Sequence, residues 1–137
     1  MTSLLLALVV MLGLGSVPPA EVDQLLVAIA TVESSNNPNA VGDAGKAIGV
    51  YQIHKGYWQD AVEFDKTLGG SYQDCYDPDY ARRVVLAYMT RYAPKNATAE
   101  DLARLHNGGC NIFKKKKDSK AWKNTTKYWT KVQKELQ

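Results

Sequence analysis

Cysteine and histidine are scarce in this 137-residue chain: Cys75, Cys110, His54 and His106 are the only ones. They show no CxxC or HxxxH spacing, so a zinc site has little to build on, and no metal or organic cofactor is expected. Two cysteines allow at most one intrachain disulfide. Long hydrophobic runs are also missing. The longest, Leu4 to Leu14, is broken only by Gly13 and falls short of the roughly 20 residues that a bilayer-spanning helix needs. No internal repeat and no long linker divides the chain, and its length suits one domain.

Charge is absent before Glu21, and small residues and prolines (Gly15 to Ala20) follow the apolar run. That pattern fits a signal peptide over residues 1–20, with the remaining domain over 21–137. An uncleaved anchor through residues 4–14 and a buried N-terminal helix are the alternatives. In an exported protein Cys75 and Cys110 fit one disulfide, with two unpaired buried thiols as the other reading. The charge is unevenly spread. Residues 21–106 carry 8 Lys or Arg against 12 Asp or Glu, a net of −4, and residues 107–137 carry 9 Lys against 2 acids, a net of +7. The basic end suits an anionic polymer, and equally a solvated helix face. No specific nucleic acid is expected as a partner.

Periodicity points to an α+β chain that is predominantly helical. Val22, Leu25, Leu26, Ile29 and Val32 recur at helical spacing, and Ser34 to Pro38 stop that helix. Residues 39–49 read as a loop or small hairpin, and Val50 to Ile53 as a short strand or buried turn. Lys55 to Phe64 suits a short helix. Asp77 and Pro78 are a cap and first residue for a helix that Pro94 closes. Thr98 with Asp101 forms a variant capping box for the next, which Gly108 and Gly109 end. A last, basic helix runs from about Lys120 to Leu136.

Three places carry candidate chemistry. Glu33 sits in the last turn of its helix on the side of the apolar stripe, where the helix dipole and partial burial both disfavour its ionised form, as a general acid requires. By spacing alone an ordinary solvated glutamate is the commoner reading. Asp43, ten residues on within Gly42-Asp43-Ala44-Gly45, is a second carboxylate at the spacing of a returning loop, or simply a turn aspartate. His106-Asn107-Gly108-Gly109 combines sugar-binding side chains with close backbone approach, or makes a plain helix end. Tyr51, Tyr57, Trp58, Tyr88 and Tyr92 offer faces for sugar rings, although aromatics on helical apolar stripes are more often core.

Taken in order, these pieces resemble the lysozyme superfamily. Val32-Glu33-Ser34-Ser35-Asn36-Asn37-Pro38-Asn39-Ala40, followed by Gly45 to Gln52, is similar to the opening of bacterial soluble lytic transglycosylases. The downstream half resembles the invertebrate-type (destabilase) lysozymes. The segments that carry this are Gly49-Val50-Tyr51-Gln52-Ile53 before Tyr57-Trp58, Ser71 to Cys75, Ala87 to Ala93, Ala103 to Gly109, and Tyr128 to Val132. The likeness runs from about Ile29 to Val132.

The resemblance implies a lysozyme-like fold, with a small β-hairpin or irregular loop lining the cleft. It implies hydrolysis of the β-1,4 bond between N-acetylmuramate and N-acetylglucosamine. Glu33 falls on the family's acid, and Asp43 on its second carboxylate across a shortened loop. Gln52, Tyr88, His106 and Asn107 would line the sugar cleft. Peptidoglycan is the implied substrate, and the basic C-terminal region the implied contact with the bacterial surface. The product is expected to be secreted, with periplasmic or anchored forms as alternatives. A transglycosylase using Glu33 alone, and a non-catalytic cationic wall-binding protein, are the rival readings. Two features depart from the destabilases. The chain is poor in cysteine, and the segment linked to their isopeptidase activity reads Gly45-Lys46-Ala47-Ile48 with His54 after Gln-Ile. No isopeptidase activity is expected.

Overall fold

The computed structural model of the chain describes Leu14 and residues 16–137. Most of the expected signal segment, and nearly all of the alternative anchor, lie outside the described residues. The part that is described packs onto the domain. Leu14 and Val17 are buried, and the Ser16 hydroxyl donates to the Ala97 carbonyl. Among the described residues no helix is long and apolar enough to cross a membrane.

Helix α1 spans Pro19–Ser34. Pro19 suits its first turn, where the missing N–H has no intrahelical partner to lose. Val22, Leu25, Leu26 and Ile29 turn inward. The helix ends on two residues in the left-handed region, Ser35 (φ 53°) and Asn36 (φ 59°). Asn visits that region more readily than most residues, because its short polar side chain bonds locally.

Three two-residue strands follow: β1 (Val41–Gly42), β2 (Ala47–Ile48) and β3 (Ile53–His54), paired antiparallel in that order. Gly42 faces Ala47, and Ala47 faces His54. The hairpin is tied back to α1. The Ser34 hydroxyl donates to the Val50 carbonyl at 2.8 Å, and Gly49 N–H to the Ala40 carbonyl at 2.9 Å.

Helix α2 covers Lys55–Phe64, α3 Pro78–Tyr92, α4 Ala99–Gly108 and α5 Lys120–Leu136. Local chemistry sets their starts. The Asp77 carboxylate accepts from the N–H groups of Asp79 and Tyr80. Thr98 and Asp101 form a reciprocal capping box, and Ser119 accepts from Trp122 N–H. One apolar core joins these elements. Helix α2 packs on α3, while α1, α4 and α5 pack on one another. Five helices and a small three-stranded sheet, among the described residues, make a predominantly helical α+β domain of the lysozyme-like kind.

Candidate active site

Glu33 and His106 meet where the ends of α1 and α4 converge. Glu33 lies four residues after the buried Ile29, so its side chain leaves the helix beside the core, and 21% of it remains exposed. Its Oε2 is 3.2 Å from His106 Nε2, and the His106 side chain is almost fully buried. The same nitrogen is 2.9 Å from the Tyr51 carbonyl oxygen, and Nδ1 is 2.9 Å from the Tyr57 hydroxyl. A carbonyl only accepts, so Nε2 carries the hydrogen, shared between Tyr51 and Glu33. In the neutral ring Nδ1 then accepts from Tyr57 O–H. Three elements thus hold one imidazole in one orientation: the turn before β3, α2 and α4.

Tyr57 is itself held by aromatic packing. Its ring stacks on Tyr88 with centroids 3.7 Å apart and planes 12° from parallel, and meets His106 edge-on. Burial pushes the Tyr57 hydroxyl well above the usual tyrosine range, and the neighbouring Tyr88, Tyr128 and Glu33 add to this. A hydroxyl so placed stays protonated and remains a donor. Tyr128 lies on the buried side of α5. Burial raises its hydroxyl first, and the charge of Glu33 raises it further.

Of the residues nominated from sequence, Glu33 and His106 come together, and the others take different places. His106 lies behind Glu33 rather than on an open wall. Tyr88 is 3% exposed, its face covered by Tyr57 and its edge approached by Tyr92. It supports Tyr57 and offers no free ring to a sugar. Gln52 stands in the left-handed region (φ 53°), and its amide nitrogen donates to the carbonyls of Ala40 and Gly49. Those bonds brace the hairpin. Asn107 is exposed at the end of α4, beside His106.

Asp43 opens the turn between β1 and β2. Its side chain is 64% exposed, and its Oδ2 is 3.0 Å from His54 Nε2. The strand register explains that pair, because His54 lies across Ala47 from Gly42, next to Asp43. The expected Cys75–Cys110 disulfide is not formed; both thiols are free. Cys75 is fully buried in the turn before α3, whereas Cys110 packs at the rim of the core beyond α4. Sequence reasoning placed Tyr57 only among possible sugar platforms and left Tyr128 without a role. The signal for Tyr128 was its spacing with Thr125 and Val132 on the buried side of α5.

A carboxyl group at a helix end, backed by an oriented imidazole N–H and partly open to solvent, is equipped to hand a proton to a bound oxygen and to be steadied as the resulting anion. A family model described as Destabilase matches residues 22–134. The chain belongs to the destabilase family, the invertebrate-type lysozymes, a family of lysozyme-like glycosidases.

Proposed function

We propose that this protein is a muramidase, hydrolysing the β-1,4 bond between N-acetylmuramate and N-acetylglucosamine in peptidoglycan, with Glu33 as general acid. The contact between Glu33 and the buried, doubly oriented His106 carries the reading. Glu33 protonates the glycosidic oxygen, the bond from that oxygen to C1 breaks, and the sugar left behind takes on oxocarbenium character. His106 Nε2–H steadies the Glu33 carboxylate as it forms. Asp43 is the second carboxylate, acting on the opposite face as nucleophile or stabiliser, and Asn107 and Gln52 flank the sugar. The protein acts outside the cell, delivered by an N-terminal signal segment, and its basic C-terminal region meets the anionic bacterial surface.

A second reading draws support from the position of Asp43. An exposed aspartate engaged by His54 is a weaker partner than the buried surroundings of Glu33 would suggest. Without it, the muramyl 6-hydroxyl attacks C1 in place of water, and the chain acts as a lytic transglycosylase. One experiment covers both readings. Purified peptidoglycan is digested with the parent, Glu33→Gln and Asp43→Asn, and the products are weighed by mass spectrometry. Glu33→Gln is expected to keep its fold and lose at least about 10²-fold in rate. Full lysis by that variant would overturn the assignment and leave charge-driven wall damage as the activity. Hydrated reducing ends and a slow Asp43→Asn variant support the hydrolase. Anhydro ends, lighter by one water, with a fully active Asp43→Asn support the transglycosylase.

A further inference from the structure

Tyr57 reads from the sequence as a face for a sugar ring, yet Tyr88 covers one side of that ring at 3.7 Å, with the planes 12° apart. Its hydroxyl has a single hydrogen-bond partner among the described residues, Nδ1 of His106 at 2.9 Å, 49 residues away in the chain. A phenylalanine would fill the same stack without that oxygen. The hydroxyl is thus committed to the imidazole whose other nitrogen lies 3.2 Å from Glu33.

A neutral imidazole has one hydrogen for two nitrogens, and the partner of one nitrogen decides the state of the other. Two arrangements compete. With the hydrogen on Nε2, the ring donates toward the Tyr51 carbonyl oxygen and Glu33, and Nδ1 accepts from Tyr57. With the hydrogen on Nδ1, a bare Nε2 would stand 2.9 Å from the Tyr51 carbonyl oxygen, acceptor against acceptor. It would also stand 3.2 Å from Glu33 Oε2, within reach of the carboxyl proton. The imidazole would then compete with the glycosidic oxygen for the proton that cleavage requires. Tyr57 opposes that arrangement. An N–H on Nδ1 would oblige the hydroxyl to turn its own hydrogen away, with no other partner among the described residues. The stack on Tyr88 and an edge-on contact with His106, centroids 5.3 Å apart, fix where the oxygen sits. Burial holds the hydroxyl well above the usual tyrosine range, so its hydrogen stays in place.

We propose that Tyr57 is a positioning residue for Glu33 that acts through His106: its hydroxyl, donating to Nδ1, selects the tautomer whose Nε2–H faces the carboxyl group. This rests on Glu33 being the general acid. A nitrogen that already carries its hydrogen does not take the proton from Glu33, so the proton goes to the glycosidic oxygen. The same N–H donates to the carboxylate left behind, a bond that strengthens as the charge develops. The face and the hydroxyl of Tyr57 are both engaged inside the protein, so contacts to the bound sugar do not pass through it. Its contribution therefore falls on kcat rather than on KM.

The test is Tyr57→Phe, which keeps the stacked ring and removes the hydroxyl, assayed on soluble peptidoglycan fragments beside the parent and Glu33→Gln. Expected are a roughly tenfold fall in kcat, short of the loss in Glu33→Gln, and an unchanged KM. The ¹⁵N spectrum of the His106 ring supplies a reading that a merely structural tyrosine would not move. In the parent, Nε2 carries the hydrogen and Nδ1 gives the signal of an acceptor nitrogen in a hydrogen bond. In Tyr57→Phe the Nδ1 signal leaves its parental position. A parental kcat, or an Nδ1 signal that does not move, overturns the inference. An active Glu33→Gln instead removes the general-acid reading on which it rests. The parent spectrum decides the matter even if Tyr57→Phe fails to fold. A hydrogen on Nε2 with Nδ1 hydrogen-bonded supports the selected tautomer, and any other pattern overturns it.

Discussion

His106 has both ring nitrogens engaged inside the protein, and this confines what it does. With Nε2–H shared between the Tyr51 carbonyl and Glu33, and Nδ1 accepting from Tyr57, the ring is a fixed donor rather than a mobile proton carrier. The core is dry, and Cys75 shows how strongly. The Cys75 thiol is pushed from its ordinary 9.0 up to about 12, chiefly by burial and then by the charge of Asp74. An unfolded chain ionises this thiol near pH 9 while the native one does not. Stability from Cys75 is therefore complete below pH 9 and is lost as the pH rises toward 12. Tyr57, Tyr88 and Tyr128, all raised by burial, contribute in the same direction above pH 10. Urea unfolding midpoints should fall steadily between pH 9 and 11, and fall less in Cys75→Ala. In the native protein at pH 8 a thiol reagent should titrate Cys110 and spare Cys75; rapid labelling of both would contradict the burial of Cys75.

At the level of elements, the turn from Gly49 to Gln52 connects hairpin, core and site. Gly49 has φ +79°, and a Cβ there would stand 2.3 Å from the Cys75 carbonyl oxygen. Both the backbone and the space exclude a side chain. Gly49→Ala should lower the unfolding free energy by about 2–4 kcal/mol, combining left-handed strain with overpacking. It should also slow wall cleavage, because Tyr51, two residues on, supplies the acceptor that orients His106. Chemical denaturation and a lysis assay on the folded fraction check both outcomes. The helices were legible in the sequence because their signals are local. Asp77-Pro78, Thr98 with Asp101, and Pro94 act within one turn, and α2 and α5 run over the residues that periodicity assigns them. Two-residue strands carry no alternation to read. Left-handed Ala44 and Gln52 carry no signal in residue type, unlike Asp43, whose short polar side chain suits that region. Glu33 and His106 were each legible through ordered motifs, but their contact spans the fold. Tyr88 lay on an apolar stripe, where periodicity alone does not separate a core ring from a sugar platform. The cysteine pair suited a disulfide by number, whereas Cys75 lies buried in the core and Cys110 at its rim, both unpaired.

Across the whole molecule, α5 has two faces with different tasks. Thr125, Tyr128 and Val132 pack inward toward α4 and α1, while Lys120, Lys123, Lys127, Lys131 and Lys134 are exposed and recur every three or four residues along the other side. Lys114 to Lys117, before α5, are exposed as well, and nine lysines against two acids occupy residues 107–137. The rest of the described domain is net acidic, which sets a direction for the molecule at a charged surface. Attraction of that kind is long-ranged and screened beyond about 10 Å at 0.1 M salt. It should therefore govern residence on an intact, anionic wall and leave cleavage of a small neutral fragment untouched. Replacing Lys123, Lys127 and Lys131 by Gln should weaken sedimentation with whole walls and flatten its salt dependence between 0.05 and 0.5 M, concentrations chosen to span the change in screening. Turnover of a soluble uncharged oligosaccharide should stay within about twofold of the parent, and stability within about 0.5 kcal/mol, since the three side chains are exposed. Equal losses on both substrates would mean that the lysines act through the fold of α5, not through charge at the surface.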